Sequence, residues 1–443
     1  MAAQQILTEA KARGVRFCNL EFTDIVGMAK AVTVPMEQLP ASLEEGRWFD
    51  GSAIEGFARV VESDMYLRPD ATTFAVIPWE PGRARILCDV VRPDGAPFEG
   101  DPRARLRTAM ARAVQRGLRY EVAPEIEFFL LRPPADGSLQ VIPFDSGSYF
   151  DLVNEPTAEV WRELMDVLGE LHVPVESSHH EVADGQHEID LSMLDALAAA
   201  DAIMTCKLAI KAVATHHGLR ATFLPKPITG VSGSGMHIHQ RMLDLQQGHN
   251  VFADADNAEY GLSEVALHFI AGLLAHAQGM SAVLSPLVNS YKRLIPNFEA
   301  PIDINWGHHN QDMLVRVPRL NAHRRDDVQI EIRNPDPSCN PYLALTVLLA
   351  AGLDGMERLL ECPPPADRHK SRQSSPTGRR EASSHHLPES LAEALTAMEG
   401  DPVMREALGP TITAEFLDAK WQEWDSYRQE VSAWELRRYL ASF

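Results

Sequence analysis

The stretch Ser178–Leu191, SHHEVADGQHEIDL, carries two carboxylates, Glu181 and Glu188, on extended-looking sequence with a glycine between them. Side chains seven residues apart on a straight strand point to opposite faces, because the repeat is two. Gly185 allows a bulge or turn that brings both acids to one face. In APEIEF, Glu125 and Glu127 are two apart and share a strand face, with Ile126 and Phe128 on the other. GVSGSGMHIH runs a glycine-rich loop into a strand that places His237 and His239 together. It lacks the lysine and Ser/Thr of a Walker phosphate loop. QIEIR aligns Gln329, Glu331 and Arg333, and SYKRLIPNFEAP supplies Lys292, Arg293 and Glu299 in a loop. Each segment alone is compatible with a solvated rim. Together, five glutamates on strands and one histidine suit a hard divalent cation such as Mg²⁺ or Mn²⁺. Structural zinc would want a thiolate set. The residue types therefore point to a carboxylate-rich metal enzyme, with phosphoryl transfer as the matching chemistry.

The elements that must position these groups follow from periodicity and punctuation. Residues 4–13 form a short helix, and Arg16–Asp24 and Ala29–Val34 are strands around a turn at Gly27. Trp48–Asp70 reads as a loop leading into alternating sequence, followed by strands Thr73–Trp79 and Ala84–Val90. Residues 1–100 thus form a small, mostly stranded α+β unit, and 101–443 a larger one. Asp101–Gly117 is a helix with Pro102 in its first turn and Gly117 at its stop. Tyr120–Leu131 is a strand, Pro156–His172 a helix, Glu181–Leu191 a strand and Leu194–His217 a long helix. Ala221–Leu224 and Gly235–Gln240 are strands, and Leu262–Gln278 is an apolar helix. Short strands Val315–Val317 and Gln329–Arg333 precede a buried helix, Pro341–Leu360. Pro363–Glu389 reads as an exposed excursion, and Ala414–Leu440 as closing helices.

Length and composition bound the function class. A chain of 443 residues is too long for one core. A formal charge of −21 argues against nucleic acid as the main partner and suits a site that a cation neutralises. The five cysteines are scattered with no CxxC, there is no apolar signal core and no membrane-length run. The expected setting is a reducing cytoplasm, away from membranes.

The blocks WFDGSAIEGF, APEIEFF, HHEVADGQHEIDL, GSGMHIH, NSYKRLIPNFEAP and IEIRNPDPSCNPYLAL resemble, in order and over nearly the whole chain, the signature blocks of glutamine synthetase. EVADGQHE and ARVVESDMYL resemble the bacterial type I class under direct glutamine feedback. The tyrosine segment of the adenylylated class has no match, since the region before Leu387 reads EASSHH. The resemblance implies an N-terminal β-grasp domain (1–100), a catalytic domain (101–443) built on a curved antiparallel sheet or barrel, and a dodecamer of two stacked hexamers. It implies ATP-dependent ligation of ammonia to glutamate through γ-glutamyl phosphate. Glu127, Glu181 and Glu188 resemble the ligands of one metal ion, and Glu125, His237 and Glu331 those of a second. Arg293 and Arg333 match arginines on glutamate and the transferring phosphoryl group. Arg316 matches one on the ATP phosphates, with His239 in the same nucleotide site, and Gly233 matches a substrate-binding loop residue. Glu299 matches the flap acid that takes a proton from ammonium. Tyr149, Glu181 and a neighbouring subunit's copy of Asp50 match the ammonium pocket, and Arg59 the arginine linked to feedback.

Four positions depart from the family pattern. Ala53 stands for a Ser, Ser232 for an Asn, and Gln311 and Gln329 each for an Arg. Losing one phosphate-facing donor costs about 3–4 kcal/mol of transition-state stabilisation. Arg324, Arg325, His308 and His309 are the candidates to compensate. The departures leave two alternatives open: a γ-glutamyl ligase taking a primary amine, and a weakly catalytic glutamate- or ATP-binding paralogue.

Overall fold

The computed structural model describes residues 3–443 apart from 53–63, 135–137, 139, 153–154, 255, 258–259, 309–311, 320–325 and 367–385. Ala53, Arg59, His309, Gln311, Arg324, Arg325 and most of the Pro363–Glu389 excursion therefore lie outside the described residues.

Helix α1 (Ala3–Ala12) leads into β1 (Phe17–Thr23) and β2 (Ala29–Pro35), which pair antiparallel through the turn at Gly27. After α2 (Leu39–Glu45) come β3 (Arg47–Asp50), β4 (Asp64–Pro69), β5 (Ala75–Val76) and β6 (Arg83–Val91). The sheet order is β2-β1-β6-β4-β3, with β5 also on β6, and β1 runs parallel to β6. Two expectations change here. Trp48–Asp70 contains two paired strands, Trp48 facing Tyr66 and Asp50 facing Asp64. Thr73–Trp79 supplies only the two-residue β5, because a 3₁₀ turn capped by Asp70 takes up Ala71–Thr73. One apolar cluster, from Ile6 to Phe98, fills this unit.

The second sheet is built on β7 (Leu118–Arg132). Around it lie β8 (Ile142–Pro143), β9 (Val175–His180), β10 (Gln186–Leu191), β11 (Leu194–Asp195), β12 (Arg220–Thr222), β13 (Ile238–Asp244), β14 (Asp303–Gly307), β15 (Met313–Arg316) and β16 (Ile330–Ile332). Its order is β14-β15-β16-β13-β7-β10-β9, antiparallel except for β14 on β15. β14 has no counterpart among the strands expected from the sequence. Glu181–Leu191 is not one strand either: β9 and β10 form a hairpin, with the Glu181 N–H donating to Gln186 O across the turn at 2.8 Å.

Helices pack around this sheet: α3 (Pro102–Val114), α4 (Glu155–Glu170), α5 (Ala196–His216), α6 (Glu264–Ala275), α7 (Ala277–Leu284), α8 (Pro341–Glu357), α9 (Leu391–Gly400) and α10 (Pro402–Gln429); α11 (Ala433–Tyr439) follows with no buried residue. The expected Leu262–Gln278 helix is shorter: Ser263 caps α6, and the chain bends at His276 into α7. α8 begins where the Asn340 side chain accepts from the N–H groups of Tyr342 and Leu343, which satisfies orphan donors of the first turn. The same Asn340 donates to Asp24 O at 2.9 Å, joining the two sheets' units. Arg103, 4% exposed, joins them again through Asp70, Asp89 and Asp201 at 2.7–2.9 Å. Among the described residues, no single helix is long and apolar enough to cross a membrane; the apolar pair α6–α7 is bent by 72° and packed in the core.

Candidate active site

Strand register alone gathers most of the chemistry. Glu127 faces Glu188 and Glu125 faces Asp190 across β7 and β10. Glu331 on β16 faces His239 on β13 and Arg316 on β15. Ile126 and Phe128 turn the other way, into the core, at 0% and 1% exposure. The alternation that puts them there is what aims the glutamates outward from the same strand.

These side chains surround a cavity of about 520 Å³. Glu125, Glu127, Tyr149, Glu181, Glu188, Gly233, His237, Arg293, Glu299, Arg316, Glu331 and Arg333 all line it, as does the divergent Ser232. His239 does not line it. It stands behind Glu125, with Nε2 2.8 Å from Oε1. Asp50 is exposed on β3 and is not part of this cavity's wall. Gln329 also lies off the wall; its amide donates to Asp327 at 3.5 Å. The sequence reading missed Ser177, His179, Gln186, Asp190 and Phe298, which also line the cavity. His179 and Asp190 sit inside or next to the acidic hairpin, so strand alternation from Glu181 and Glu188 could have pointed to them.

Gly185 makes the hairpin possible. Its φ is +70°, and a Cβ there would lie 2.9 Å from Leu130 O. A cluster behind the hairpin fixes it. His180 Nδ1 lies 2.6 Å from the Glu181 carbonyl and its Nε2 3.3 Å from Asp145 Oδ1. His187 Nε2 is 3.6 Å from the other Asp145 oxygen, and the Trp161 indole N–H donates to His187 Nδ1 at 3.3 Å. A ring nitrogen that accepts from Trp161 leaves the proton on Nε2, facing Asp145. His180 thus ties the hairpin to Asp145 by hydrogen bonds, while His187 Nε2 stops just short of hydrogen-bond distance from the same carboxylate. Burial first, against the pull of Asp145, drops His187 to about 4, which keeps it neutral.

Seven acidic side chains and three arginines line the cavity among the described residues. Burial pushes Glu188 well above the ordinary carboxylate range, and the charges of Glu127 and Glu125 add to it. Burial likewise raises Glu127, although the Gly235 N–H and the Gln186 amide both donate to its Oε2 at 3.0 and 2.8 Å. Glu125 goes the other way. Burial opposes its ionisation, but His239 and His237, at 2.8 and 3.0 Å, hold it well below the usual range. Burial opposes the ionisation of Glu331 too, and Arg333 and the histidines outweigh it; Arg316 donates to it at 2.7 Å and Arg333 pairs with it. Arg293 is 2% exposed and donates to the carbonyls of Arg333, Asn334 and Pro335 at 2.9–3.2 Å. Gly235 leaves it room, since a Cβ there would come 2.5 Å from its guanidinium.

Buried carboxylates held this close need cations between them. Among the described residues the donors are carboxylate oxygens and two imidazoles, His179 and His237, with no cysteine on the wall, which fits a hard divalent ion better than zinc. Phosphate groups could then meet the arginine side of the same cavity.

The chain matches the family described as glutamine synthetase, catalytic domain, over residues 99–439, and glutamine synthetase, beta-Grasp domain, over 14–93. It is 48% identical to a glutamine synthetase of Thermus thermophilus, covering 99% of both chains. It is 45% identical to one of Halobacterium salinarum, over 99% of this chain and 96% of the other. A solved GmaS/ADP complex superposes with a TM-score of 0.86 at 32% identity, covering 98% and 99% of the two chains.

Proposed function

The chain belongs to the glutamine synthetase family, and we propose that the residues around its cavity carry that family's ligation as follows. The activity is that of a glutamate–ammonia ligase: ammonia is joined to the γ-carboxylate of L-glutamate at the expense of ATP, through γ-glutamyl phosphate, to give glutamine. Membership brings the use of ATP and a divalent cation. The observation that carries the residue assignment is the excess of seven acids over three arginines around one cavity.

Glu127, Glu181 and Glu188 would hold one ion, and Glu125, His237 and Glu331 a second, as Mg²⁺ or Mn²⁺. When bound, such ions neutralise phosphate oxygens and polarise the transferring group. Arg293 and Arg333 orient glutamate and the phosphoryl group, and Arg316 meets the nucleotide phosphates with His239 supporting Glu125 behind it. The Gly233 backbone allows glutamate to approach closely. Phosphoryl transfer then needs little beyond positioning and charge.

Ammonium must lose a proton before it attacks. Tyr149 and Glu181, with Asp50 of a neighbouring subunit, form the pocket that attracts it. Partial desolvation at the cavity's edge first, and then the charge of Glu181, raises the proton affinity of Glu299, which suits a base. Arg59 would report glutamine back to the site. The assembly is a dodecamer of two stacked hexamers, with units 1–100 and 101–443, working in the cytoplasm. The exposed Trp434, Leu436, Leu440 and Phe443 at the chain's end support association with other copies.

The test is glutamate-dependent phosphate release from ATP with Mg²⁺ or Mn²⁺, comparing ammonium with a panel of primary amines and identifying the product. Glutamine from ammonium, at one phosphate per glutamine, is the expected outcome. Release only with an amine, or none at all, would overturn the reading.

A further inference from the structure

The loop that carries Glu299 is held by a side chain outside the cavity wall. Phe298 lines the cavity, and its neighbours Asn297 and Glu299 both have left-handed backbone, at φ +70° and +55°. Asparagine adopts this backbone readily, but for Glu299 it is costly and persists only where surrounding contacts impose it. The contact present is Lys226, whose Nζ lies 3.8 Å from the centroid of the Phe298 ring. Lys226 is 9% exposed, so this cation–π contact is largely desolvated, where it is strongest.

Lys226 is itself fixed from three directions. Its N–H donates to Asn289 Oδ1 at 2.7 Å, and Asn289 Nδ2 donates back to its carbonyl at 3.2 Å. Its ammonium donates to Val231 O, one residue before the Ser232–Gly233 wall of the cavity. The Ser234 N–H donates to Pro225 O at 2.9 Å, closing the same loop. An ammonium has three donors, so Val231 O and the Phe298 ring can be served together.

We propose that Lys226 is a positioning residue that locks the Glu299 loop to the 225–234 loop, so that both walls close as one unit over the reacting groups. The step this protects is attack of ammonia on the γ-carbonyl carbon. If water enters instead, its oxygen bonds to that carbon, the C–O bond to phosphorus breaks, and phosphate and glutamate leave with the water's protons. A loosened lock therefore splits phosphate release from glutamine formation. This inference rests on the function proposed above.

The experiment compares Lys226→Met, Lys226→Arg, Phe298→Leu and the Lys226→Met/Phe298→Leu double variant with the wild type. Phosphate and glutamine are measured in the same reactions, and hydrogen exchange of residues 295–300 in the ligand-free protein. Lys226→Met and Phe298→Leu should each raise the phosphate-to-glutamine ratio above one and speed exchange about thirtyfold, the scale of one desolvated cation–π contact. Lys226→Arg should keep both near wild type, and the double variant should be no worse than either single one. Unchanged exchange in Lys226→Met, or additive effects in the double variant, overturns the lock. Failure of the wild type to make glutamine overturns the proposed function instead, and exchange then decides the lock alone.

Discussion

Glu299 sits at the cavity's edge, exposed, on a left-handed backbone that few glutamates adopt. A side chain so placed contributes little to folding, so its removal reads out chemistry. Glu299→Ala should lower ammonium-dependent turnover by about 100-fold or more, the scale of a lost general base, while the unfolding midpoint stays put. Steady-state kinetics beside a thermal melt checks this, and unchanged turnover would sink the role. By contrast Glu188, at 6% exposure, is held near Glu127 by register and cannot relax away. Its proton affinity belongs to the crowd of carboxylates rather than to itself.

At the scale of elements, the β9–β10 hairpin depends on one glycine and one aspartate. Gly185→Ala should destabilise the protein by about 2 kcal/mol. The left-handed backbone alone costs roughly 1–2 kcal/mol with a Cβ, and the Leu130 carbonyl leaves no slack. Urea unfolding measures it. Asp145→Asn keeps the cluster's shape but removes its charge; the expected result is roughly tenfold weaker Mn²⁺ binding by calorimetry, as for other groups that orient ligands from behind. Equal affinity would reduce Asp145 to a core residue. The α6–α7 bend carries a different signature. His276 lies 2.7 Å from Asp401 and 3.0 Å from Asp354, and these partners outweigh burial to raise its proton affinity above the ordinary 6.5. A group raised on folding stabilises fully below its unfolded value and loses that contribution as pH rises through the folded one. Melting temperature should therefore fall as pH climbs above about 6.5, and His276→Gln should flatten that fall. A slope unchanged by the substitution would exclude His276 as its source.

At the scale of the whole molecule, Asp50 is exposed and absent from its own chain's cavity wall, while the acids it should join are assembled elsewhere. If a neighbour's Asp50 completes each site, two inactive variants complement each other. Co-refolding Asp50→Ala with Glu299→Ala chains in equal amounts should restore roughly a quarter of wild-type activity, because head-to-tail contacts pair residues from different chains. No recovery in mixed assemblies, with mixing verified by light scattering and a mass tag, would place Asp50 in its own chain's chemistry.

Residue types and their spacing set the donors and their faces. Period-two alternation in APEIEFF and QIEIR aligned Glu125 with Glu127 and Glu331 with Arg333, and the ordered blocks carried the family and its α+β fold. Strand faces are local, set by backbone geometry within a few residues, so they are legible without the rest of the chain. Local pattern failed where pairing partners decide. Arg47–Asp50 and Asp64–Pro69 became strands only by finding each other and β6, and β14 only by lying against β15. It failed again at Glu181, where the turn through Gly185, one of the two geometries its glycine allows, takes 181–185 out of the expected strand and pairs β10 with the preceding β9. Tertiary structure alone brought Asp145 behind the hairpin, His239 behind Glu125 rather than onto the wall, and Lys226 against Phe298. Those contacts join residues dozens of positions apart, and only the closing of the chain on itself brings such side chains within reach of one another.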